Sequence, residues 1–430
     1  MKRRTFVIGA VGVAAAAAWL KPGDRGEQYS EYFRGLNSAL RAQRIGRPVL
    51  LVDRERLAAN CALLNERIAP GKAYRIVAKS LPSLPLIEEV MRLTGTRKVM
   101  TFHQPFTNEL AQKLPDCDIL LGKPMPVDAA ELFYAAHPAD SAFDPSTQLQ
   151  WLVDSMPRLQ QYLALAQKLE RKLLINLELD VGLHRGGLDT LDELDLCLAL
   201  IRDNPAHLTF AGFMGYDAHV GKLPSIVESR EDSLRKSQDI YRRFVSRLKE
   251  QFPALYHDKL TFNGAGSPTI FLHDETSPLN DLSAGSCLVK PTDFDLDVLA
   301  DFQPAAFIAT PIIKKLPGLN MPGPLPLGDL WAIWDVNRRV TLFVYGGNWL
   351  AKPESPAGLQ RNSLYGVSSN QMMYNGSPSQ QLRQDDFIFL RPTQSEAVLL
   401  QFGDLAALAA DGSVQWWAPL EQGHDTLAPV

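Results

Sequence analysis

Between residues 48 and about 292, short apolar runs alternate with amphipathic stretches. The runs are rich in valine, isoleucine and leucine, as expected for strands buried on both faces of a parallel sheet. The stretches between them, for example 155–169 and 232–251, have leucines at helical spacing. The pattern predicts eight strands, at 49–52, 75–78, 98–102, 119–121, 150–153, 173–179, 208–214 and 260–263. Eight strands, each followed by a helix, predict an α/β fold with a (β/α)8 barrel of the TIM type.

The pattern changes after about residue 295. Short candidate strands are separated there by turns rich in proline, glycine and asparagine, which is typical of an all-β domain. These strands are predicted at 304–310, 328–334, 340–345, 386–390, 397–402 and 414–416. We therefore predict a barrel domain at 46–295, followed by a C-terminal all-β domain at 296–430.

The N-terminus has the features of an export signal. A basic cluster containing Arg3 and Arg4 precedes an alanine-rich apolar stretch that ends at Leu20. This stretch is shorter than the ~20 residues that a membrane-spanning helix needs. Ala16 and Ala18 fit an A-x-A cleavage site. We predict that residues 1–26 are a twin-arginine-type signal and that the cleaved protein is periplasmic and not membrane-bound; an ordinary Sec signal and an uncleaved anchor are the alternatives.

Composition and charge narrow the function classes. The chain has 430 residues, of which 46% are apolar, enough for two domains with separate cores. Its net charge of −4, its pI near 6.1 and the absence of a basic stripe argue against nucleic-acid binding. The four cysteines are scattered without a CxxC pair, so we interpret them as core thiols, although a disulfide remains open.

Lys79 follows the second predicted strand and precedes a Ser-Leu-Pro break. At the buried end of a strand, desolvation disfavours the charged ammonium, and a neutral amine can form a Schiff base with an aldehyde. The alternative is a lysine at the rim of the sheet with its amine in water. Active sites of (β/α)8 barrels lie at the carboxyl ends of the strands, where Lys79 is predicted to lie.

A glycine-rich turn follows the last predicted barrel strand. It consists of Gly264, Ala265, Gly266 and Ser267. Small residues let backbone N–H groups approach a phosphate, and Ser267 adds a hydroxyl. An ordinary tight turn is the alternative interpretation.

Taken in order, four segments resemble the fold-type III pyridoxal-phosphate enzymes, which have an alanine racemase-type N-terminal barrel. The segments are 74–79, 173–187, 210–219 and 262–269. Within that group the chain is most similar to D-threonine aldolases and D-serine dehydratases, over about 48–293 and more loosely beyond. The resemblance implies pyridoxal 5'-phosphate bound covalently to Lys79, a small amino-acid substrate and a homodimer.

The resemblance also implies roles for further residues. Arg185 corresponds to an arginine that faces the cofactor ring or the substrate carboxylate, and Tyr216 and His219 lie against the ring and near the substrate Cα. Ser286 belongs to a second segment near the phosphate. A solvent-exposed Arg185 and a structural His219 are the alternatives. Glu178 shares one strand face with Asn176 and Asp180, and we interpret it as polar packing inside the barrel.

The chain departs from these enzymes at their metal site. Many relatives hold a divalent metal through a histidine and a cysteine or aspartate two residues apart, and here Gln394 and Glu396 occupy those positions. Glutamine is a poor ligand for zinc or manganese. An upstream segment that usually reads Ser-Glu-Glu-His also lacks its histidine at 368–373. We therefore predict that this metal site is altered or lost.

The resemblance implies a lyase that cleaves or deaminates β-hydroxy D-amino acids. An amino-acid racemase, which needs no metal, is the alternative within the same chemistry. A non-catalytic periplasmic binding protein is the alternative from another class.

Overall fold

The computed structural model describes residues 21–221, 226, 228–318, 327–362, 364 and 366–423. Of the predicted signal at 1–26, residues 1–20 lie outside the described residues. The described chain forms two compact units. The barrel unit contains Arg54–Ala305, Ser395–Leu405 and the chain from Trp417 onward. The sheet unit contains the described residues up to Asp53, together with Ala306–Gln394 and Ala406–Trp416.

Seventeen strands are present in the described residues. In chain order they are β1 (Val49–Asp53), β2 (Ala73–Val77), β3 (Lys98–Thr101), β4 (Asp118–Leu121), β5 (Leu149–Val153), β6 (Leu173–Glu178), β7 (Leu208–Gly215), β8 (Thr261–Gly264), β9 (Asp281–Ala284), β10 (Ala306–Pro317), β11 (Val340–Tyr345), β12 (Ala351–Ser355), β13 (Gln360–Arg361), β14 (Gln371–Gly376), β15 (Phe387–Pro392), β16 (Leu405–Leu408) and β17 (Val414–Trp417).

Helices follow most of the barrel strands, as the sequence predicted, but only a 3₁₀ turn at Ile270–Leu272 lies between β8 and β9. The longer helices of the barrel unit are Arg54–Arg67, Leu84–Thr94, Gln104–Lys113, Val127–Ala136, Met156–Lys168, Leu191–Asp203 and Arg230–Gln251. Short helices span Pro145–Gln148 and Ser286–Val289, and the helices of the sheet unit are Glu31–Ala42 and Leu327–Trp334. None of the described helices is long and apolar enough to cross a membrane.

The predicted (β/α)8 barrel is confirmed, but its closing strand differs from the prediction. Strands β2 to β9 form a closed parallel barrel in chain order, with β9 paired to both β8 and β2. The assignment of 49–52 to the barrel is wrong, because β1 pairs with β10 and β16 in the sheet unit. Strand β9 contains the polar residues Asp281 and Ser283, which break the apolar run by which buried strands are recognised. Lys79 therefore follows the first barrel strand, and the glycine-rich turn follows the seventh.

The sheet unit confirms a separate, mostly antiparallel domain. Its strands run in the order β13-β14-β11-β10-β1-β16-β17, while β15 joins β10 to β12. The predicted strand at 328–334 is wrong, since Leu327–Trp334 is a helix, and 397–402 contains only a 3₁₀ turn at Leu399–Gln401. A short apolar run does not distinguish a strand from a buried helix. The helix Glu31–Ala42 packs Leu36 and Leu40 into the core of this unit.

A buried ion-pair cluster lies at the amino ends of the barrel strands. Arg75, in β2, is fully buried and binds both carboxylate oxygens of Asp281, at 2.8 and 2.9 Å. Its Nη1 also donates to Asp118 Oδ1 at 2.9 Å, and Lys98 Nζ lies 3.2 Å from Asp281 Oδ2. Asp281, Asp118 and Lys98 each begin a strand, so the cluster joins β2, β3, β4 and β9 at the end opposite Lys79.

Candidate active site at the carboxyl ends of the barrel strands

The carboxyl ends of the barrel strands enclose a cleft of about 580 Å³ that opens to solvent. Most of the predicted site residues line it: Lys79, Arg185, Tyr216, Ala265, Gly266, Ser267 and Ser286. Among the described residues, the predicted Gly264 and His219 do not belong to this lining. The barrel therefore brings to one cleft side chains from five separate loops, which the sequence had indicated by strand position and by family resemblance.

Lys79 lies in a 3₁₀ turn, Ala78–Ser80, directly after β2. Its Nζ is 3.7 Å from Glu396 Oε1 and 4.6 Å from the ring centroid of Phe102. The Lys79 side chain is 43% exposed, more than its position at the end of a buried strand had suggested. The amine therefore reaches into the cleft, with a carboxylate and an aromatic ring beside it.

In the glycine-rich turn that was predicted to bind a phosphate, one backbone N–H is already hydrogen-bonded. The N–H of Gly266 donates to Thr269 Oγ1 at 3.1 Å, so this donor is already used within the turn. Ala265 has φ +67°, a left-handed conformation that is uncommon for a residue with a Cβ. Ser267 Oγ accepts the Cys287 N–H at 3.0 Å.

Glycines let neighbouring loops meet closely around the cleft. A Cβ on Gly266 would lie 2.8 Å from the ring of Tyr216. A Cβ on Gly285 would lie 2.8 Å from the carbonyl oxygen of Val77 and 3.0 Å from the Cβ of Ser80. The end of β9 can therefore contact the turn that carries Lys79 only because position 285 has no side chain.

Buried hydroxyls connect the two sides of the cleft. The Oγ atoms of Ser80 and Ser286 are 3.0 Å apart, and Ser286 Oγ is 3.2 Å from Ser395 Oγ. Ser395 is fully buried and donates to Glu396 Oε2 at 3.1 Å. Through these contacts, the segment that carries Glu396 is tied to the turn that carries Lys79.

Arg185 stacks over Tyr216, with its guanidinium carbon 4.9 Å from the ring centroid. Burial and the nearby Asp217 carboxylate raise the pKa of Tyr216, so its hydroxyl remains protonated at neutral pH. Burial also raises the pKa of Glu178 to about 7, with a further contribution from Asp154. Glu178, Arg185 and Tyr216 line a second, smaller cavity of about 190 Å³. Glu178, which was predicted to be polar packing, therefore lies beside the cleft.

His219 occupies a turn next to the cleft and packs on the backbone of Gly182. A Cβ at position 182 would lie 3.1 Å from His219 Nε2. Burial lowers the pKa of His219, which favours the neutral imidazole. Its Nδ1 is buried and has no hydrogen-bond partner among the described residues. The predicted contact of His219 with a substrate stays a prediction.

The buried Asp217 carboxylate connects the loops after β7 and β8. It accepts from Thr269 Oγ1 at 2.7 Å, and its second oxygen is 2.8 Å from His273 Nε2. His273 Nδ1 is in turn 2.9 Å from Ser277 Oγ. This network fixes the position of the turn that contains Gly266.

The predicted loss of a metal site stays a prediction. In the part of the chain that the structure describes, no group of three or more histidine, cysteine, aspartate or glutamate side chains could hold a metal ion. Glu396 lies in the barrel unit, where its carboxylate faces Lys79.

Sequence reasoning missed several neighbours of Lys79. Phe102, Ser80 and Ser395 carried no motif, and Glu396 was noticed only because it occupies a former ligand position. The 98–102 run did place Phe102 at the end of a strand, the one local signal that could have identified it. The contact between residues 79 and 396 has no local signature in the sequence.

Comparison with known proteins is consistent with this architecture. The family model described as alanine racemase, N-terminal domain, matches residues 52–292, more than half of the 430-residue chain. No curated protein matches the chain.

Several solved structures share the fold. D-threo-3-hydroxyaspartate dehydratase from Delftia sp. HT23 is 17% identical with a TM-score of 0.63, covering 87% of this chain and 97% of that one. D-threonine aldolase from Filomicrobium marinum is 14% identical with a TM-score of 0.65, covering 87% and 96%. Alanine racemase from Bacillus anthracis is 13% identical with a TM-score of 0.65, covering 87% and 98%. At these identities the similarity shows the fold alone.

Proposed function

The chain belongs to the family of the alanine racemase N-terminal domain, and from this premise we propose that it is a pyridoxal-phosphate-dependent enzyme acting on small amino acids. Proteins of this family generally use pyridoxal phosphate. One observation carries the proposal. Lys79, the hydroxyls of Ser267 and Ser286, and the Arg185–Tyr216 stack all line the same cleft at the carboxyl ends of the barrel strands.

The residues of the cleft fit such a cofactor. The lining of the cleft combines an amine, hydroxyls and a guanidinium with apolar side chains, which suits a small phosphorylated aldehyde. In this proposal the Lys79 amine holds the cofactor covalently, and the hydroxyls of Ser267 and Ser286 bind its phosphate. The Arg185 guanidinium stays charged and binds an anionic oxygen of the cofactor or substrate. When bound, pyridoxal phosphate supplies an electron sink that stabilises negative charge at the substrate Cα.

Within this chemistry we propose a lyase that acts on β-hydroxy D-amino acids. Fold neighbours that include a D-threonine aldolase and a D-threo-3-hydroxyaspartate dehydratase support this choice. Racemisation is the second candidate. It is favoured by the presence of Gln394 and Glu396 where the resemblance implies a metal site in many relatives, because racemisation needs no metal.

Cofactor binding is tested by borohydride reduction followed by peptide mass analysis. We expect the reduced cofactor adduct on Lys79, and a Lys79→Ala variant without the visible absorption band. Lys168→Ala is the matched control, since Lys168 is an exposed lysine paired with Glu131 on the outer helices. A Lys79→Ala variant that keeps the full absorption band would contradict the proposal.

The reaction is identified by incubation with D-threonine, D-serine, D-alanine and their L-enantiomers. Glycine plus an aldehyde indicates aldol cleavage, and a keto acid plus ammonia indicates elimination. Loss of optical rotation alone indicates racemisation. Cofactor binding without any turnover would support a binding protein instead.

We also propose that the protein is exported to the periplasm and forms a homodimer. The support for export is the Arg3-Arg4 cluster and the apolar stretch after it. Cell fractionation of wild type and of an Arg3→Lys, Arg4→Lys double variant tests export, and the variant should remain in the cytoplasm. Light scattering of the purified protein should give twice the mass of one chain, and a monomeric mass would contradict the dimer.

A further inference from the structure

We propose that Glu396 selects the side chain of the substrate. Its carboxylate accepts a hydrogen bond from a β-hydroxyl group and repels a β-carboxylate. The inference rests on the proposed function and deepens it, because it names the substrates that the cleft takes. These are D-amino acids with a small neutral β-hydroxyl side chain, and not their acidic analogues.

The distance between Glu396 and Lys79 carries the argument. Glu396 Oε1 lies 3.7 Å from Lys79 Nζ. In the proposed function the substrate amine would bind close to the position of Lys79 Nζ. A hydroxyl or carboxyl group on the substrate Cβ then lies within about 3–5 Å of that nitrogen, given ordinary bond lengths. The Glu396 carboxylate is therefore close enough to contact that group.

Glu396 is also held in position. Ser395 is fully buried and donates to Glu396 Oε2 at 3.1 Å. Ser395 Oγ is 3.2 Å from Ser286 Oγ, which is itself 3.0 Å from Ser80 Oγ beside Lys79. A carboxylate fixed by such contacts recognises a substrate group without first having to be ordered.

The charges around the cleft make Glu396 selective. Among the described residues that line it, the cationic side chains are Lys79 and Arg185, and Glu396 is the carboxylate. An ionised carboxylate only accepts hydrogen bonds, so it pairs with a β-hydroxyl. A second carboxylate at about 4 Å would meet like-charge repulsion. Although it shares the fold of a D-threo-3-hydroxyaspartate dehydratase, this chain should therefore discriminate against that acidic substrate.

The test compares wild type with Glu396→Gln, which keeps the shape and removes the charge. Glu250→Gln is the matched control, since Glu250 is exposed on the helix Arg230–Gln251. Borohydride labelling of Lys79 is measured first in each protein. Dissociation constants of D-alanine and D-aspartate are then determined from the change in cofactor absorption, and kcat/KM is measured for D-threonine and D-threo-3-hydroxyaspartate.

We expect wild type and Glu250→Gln to bind D-alanine at least about 50-fold more tightly than D-aspartate. In Glu396→Gln, the ratio of the D-aspartate to the D-alanine dissociation constant should be at least about tenfold smaller than in wild type. The kcat/KM preference for D-threonine over D-threo-3-hydroxyaspartate should narrow in parallel. Glu396→Ala also removes the hydrogen-bond acceptor. It should therefore weaken the binding of D-threonine, relative to that of D-alanine, more than Glu396→Gln does.

Two results would overturn the inference alone: wild type that binds D-aspartate as tightly as D-alanine, or an unchanged ratio in Glu396→Gln with Lys79 fully labelled. An unlabelled Lys79 in wild type would instead overturn the proposed function, and this inference with it.

Discussion

Replacing Asp281 with asparagine is expected to destabilise the barrel unit by about 3 kcal/mol. The Asp281 carboxylate accepts from Arg75 Nε and Nη2 at 2.8 and 2.9 Å, and from Asn263 Nδ2 at 2.6 Å. Arg75 is fully buried and Asp281 is 2% exposed. Asparagine keeps the shape, but it removes the charge and turns an amide N–H toward the guanidinium.

The magnitude follows from the geometry of the cluster. Two unit charges about 4 Å apart interact by about 4 kcal/mol at an effective dielectric constant of about 20. Removing one partner of a buried pair typically costs about 3–5 kcal/mol. The low end applies here, because Asp118 Oδ1 stays 2.9 Å from Arg75 Nη1 and leaves the guanidinium partly paired.

The effect should also depend on pH with a definite sign. Burial by itself would raise the pKa of Asp281, but the charge and hydrogen bonds of Arg75 together with the Lys98 charge outweigh burial, and the pKa lies below its usual value. The stabilisation is therefore present above the unfolded pKa of about 3.9 and is lost as the pH falls through the lower folded value. The difference between wild type and Asp281→Asn should stay constant from about pH 6 to 8 and shrink below about pH 4.

Urea unfolding of the cofactor-free protein, followed by circular dichroism and tryptophan fluorescence, measures the change. Asp203→Asn is the control, because Asp203 pairs with Arg202 at an exposed helix end and its replacement should leave the midpoint unchanged. An Asp281→Asn midpoint equal to that of Asp203→Asn would refute the reasoning.

Three further predictions follow from the same structure. Burial and Asp154 raise the pKa of Glu178 from 4.5 to about 7, so the folded state keeps a proton that the unfolded state loses, and stability falls as the pH rises between these values. Glu178→Gln should abolish this fall. Its free energy of unfolding relative to wild type, measured by urea unfolding, should therefore increase by about 3 kcal/mol from pH 4 to pH 8. Equal pH profiles of stability for the two proteins would contradict this prediction. The resemblance implies that Gln394 and Glu396 stand at the metal-ligand positions of many relatives, so exhaustive treatment with chelator should change activity less than about twofold, or about 0.4 kcal/mol of barrier. Inactivation that manganese or zinc reverses would contradict this prediction. Burial raises the pKa of the four cysteines to about 11 or about 12, so a thiol reagent at pH 8 should modify none in the folded protein and all four after unfolding.

The sequence alone determined those features that are encoded locally. Apolar runs that alternate with amphipathic stretches predicted the barrel, and the turns after residue 295 predicted the all-β domain. Because the carboxyl ends of parallel barrel strands meet at one face, motifs at separate strand ends predicted a shared cleft. Lys79 and Ser267 were placed there by their positions after strands, Arg185 and Tyr216 by the family resemblance, and all four line the cleft.

Only the tertiary structure decided which strands and side chains become partners. Residues 49–52 look like a barrel strand, yet β1 pairs with β10, and the more polar β9 closes the barrel. Likewise, no local pattern joins Lys79 to Glu396, or Arg75 to Asp281. Hydrophobic periodicity records which face of a segment is buried, but strand pairing and ion pairing depend on register and on the return of distant segments. Those contacts exist only once the whole chain has folded.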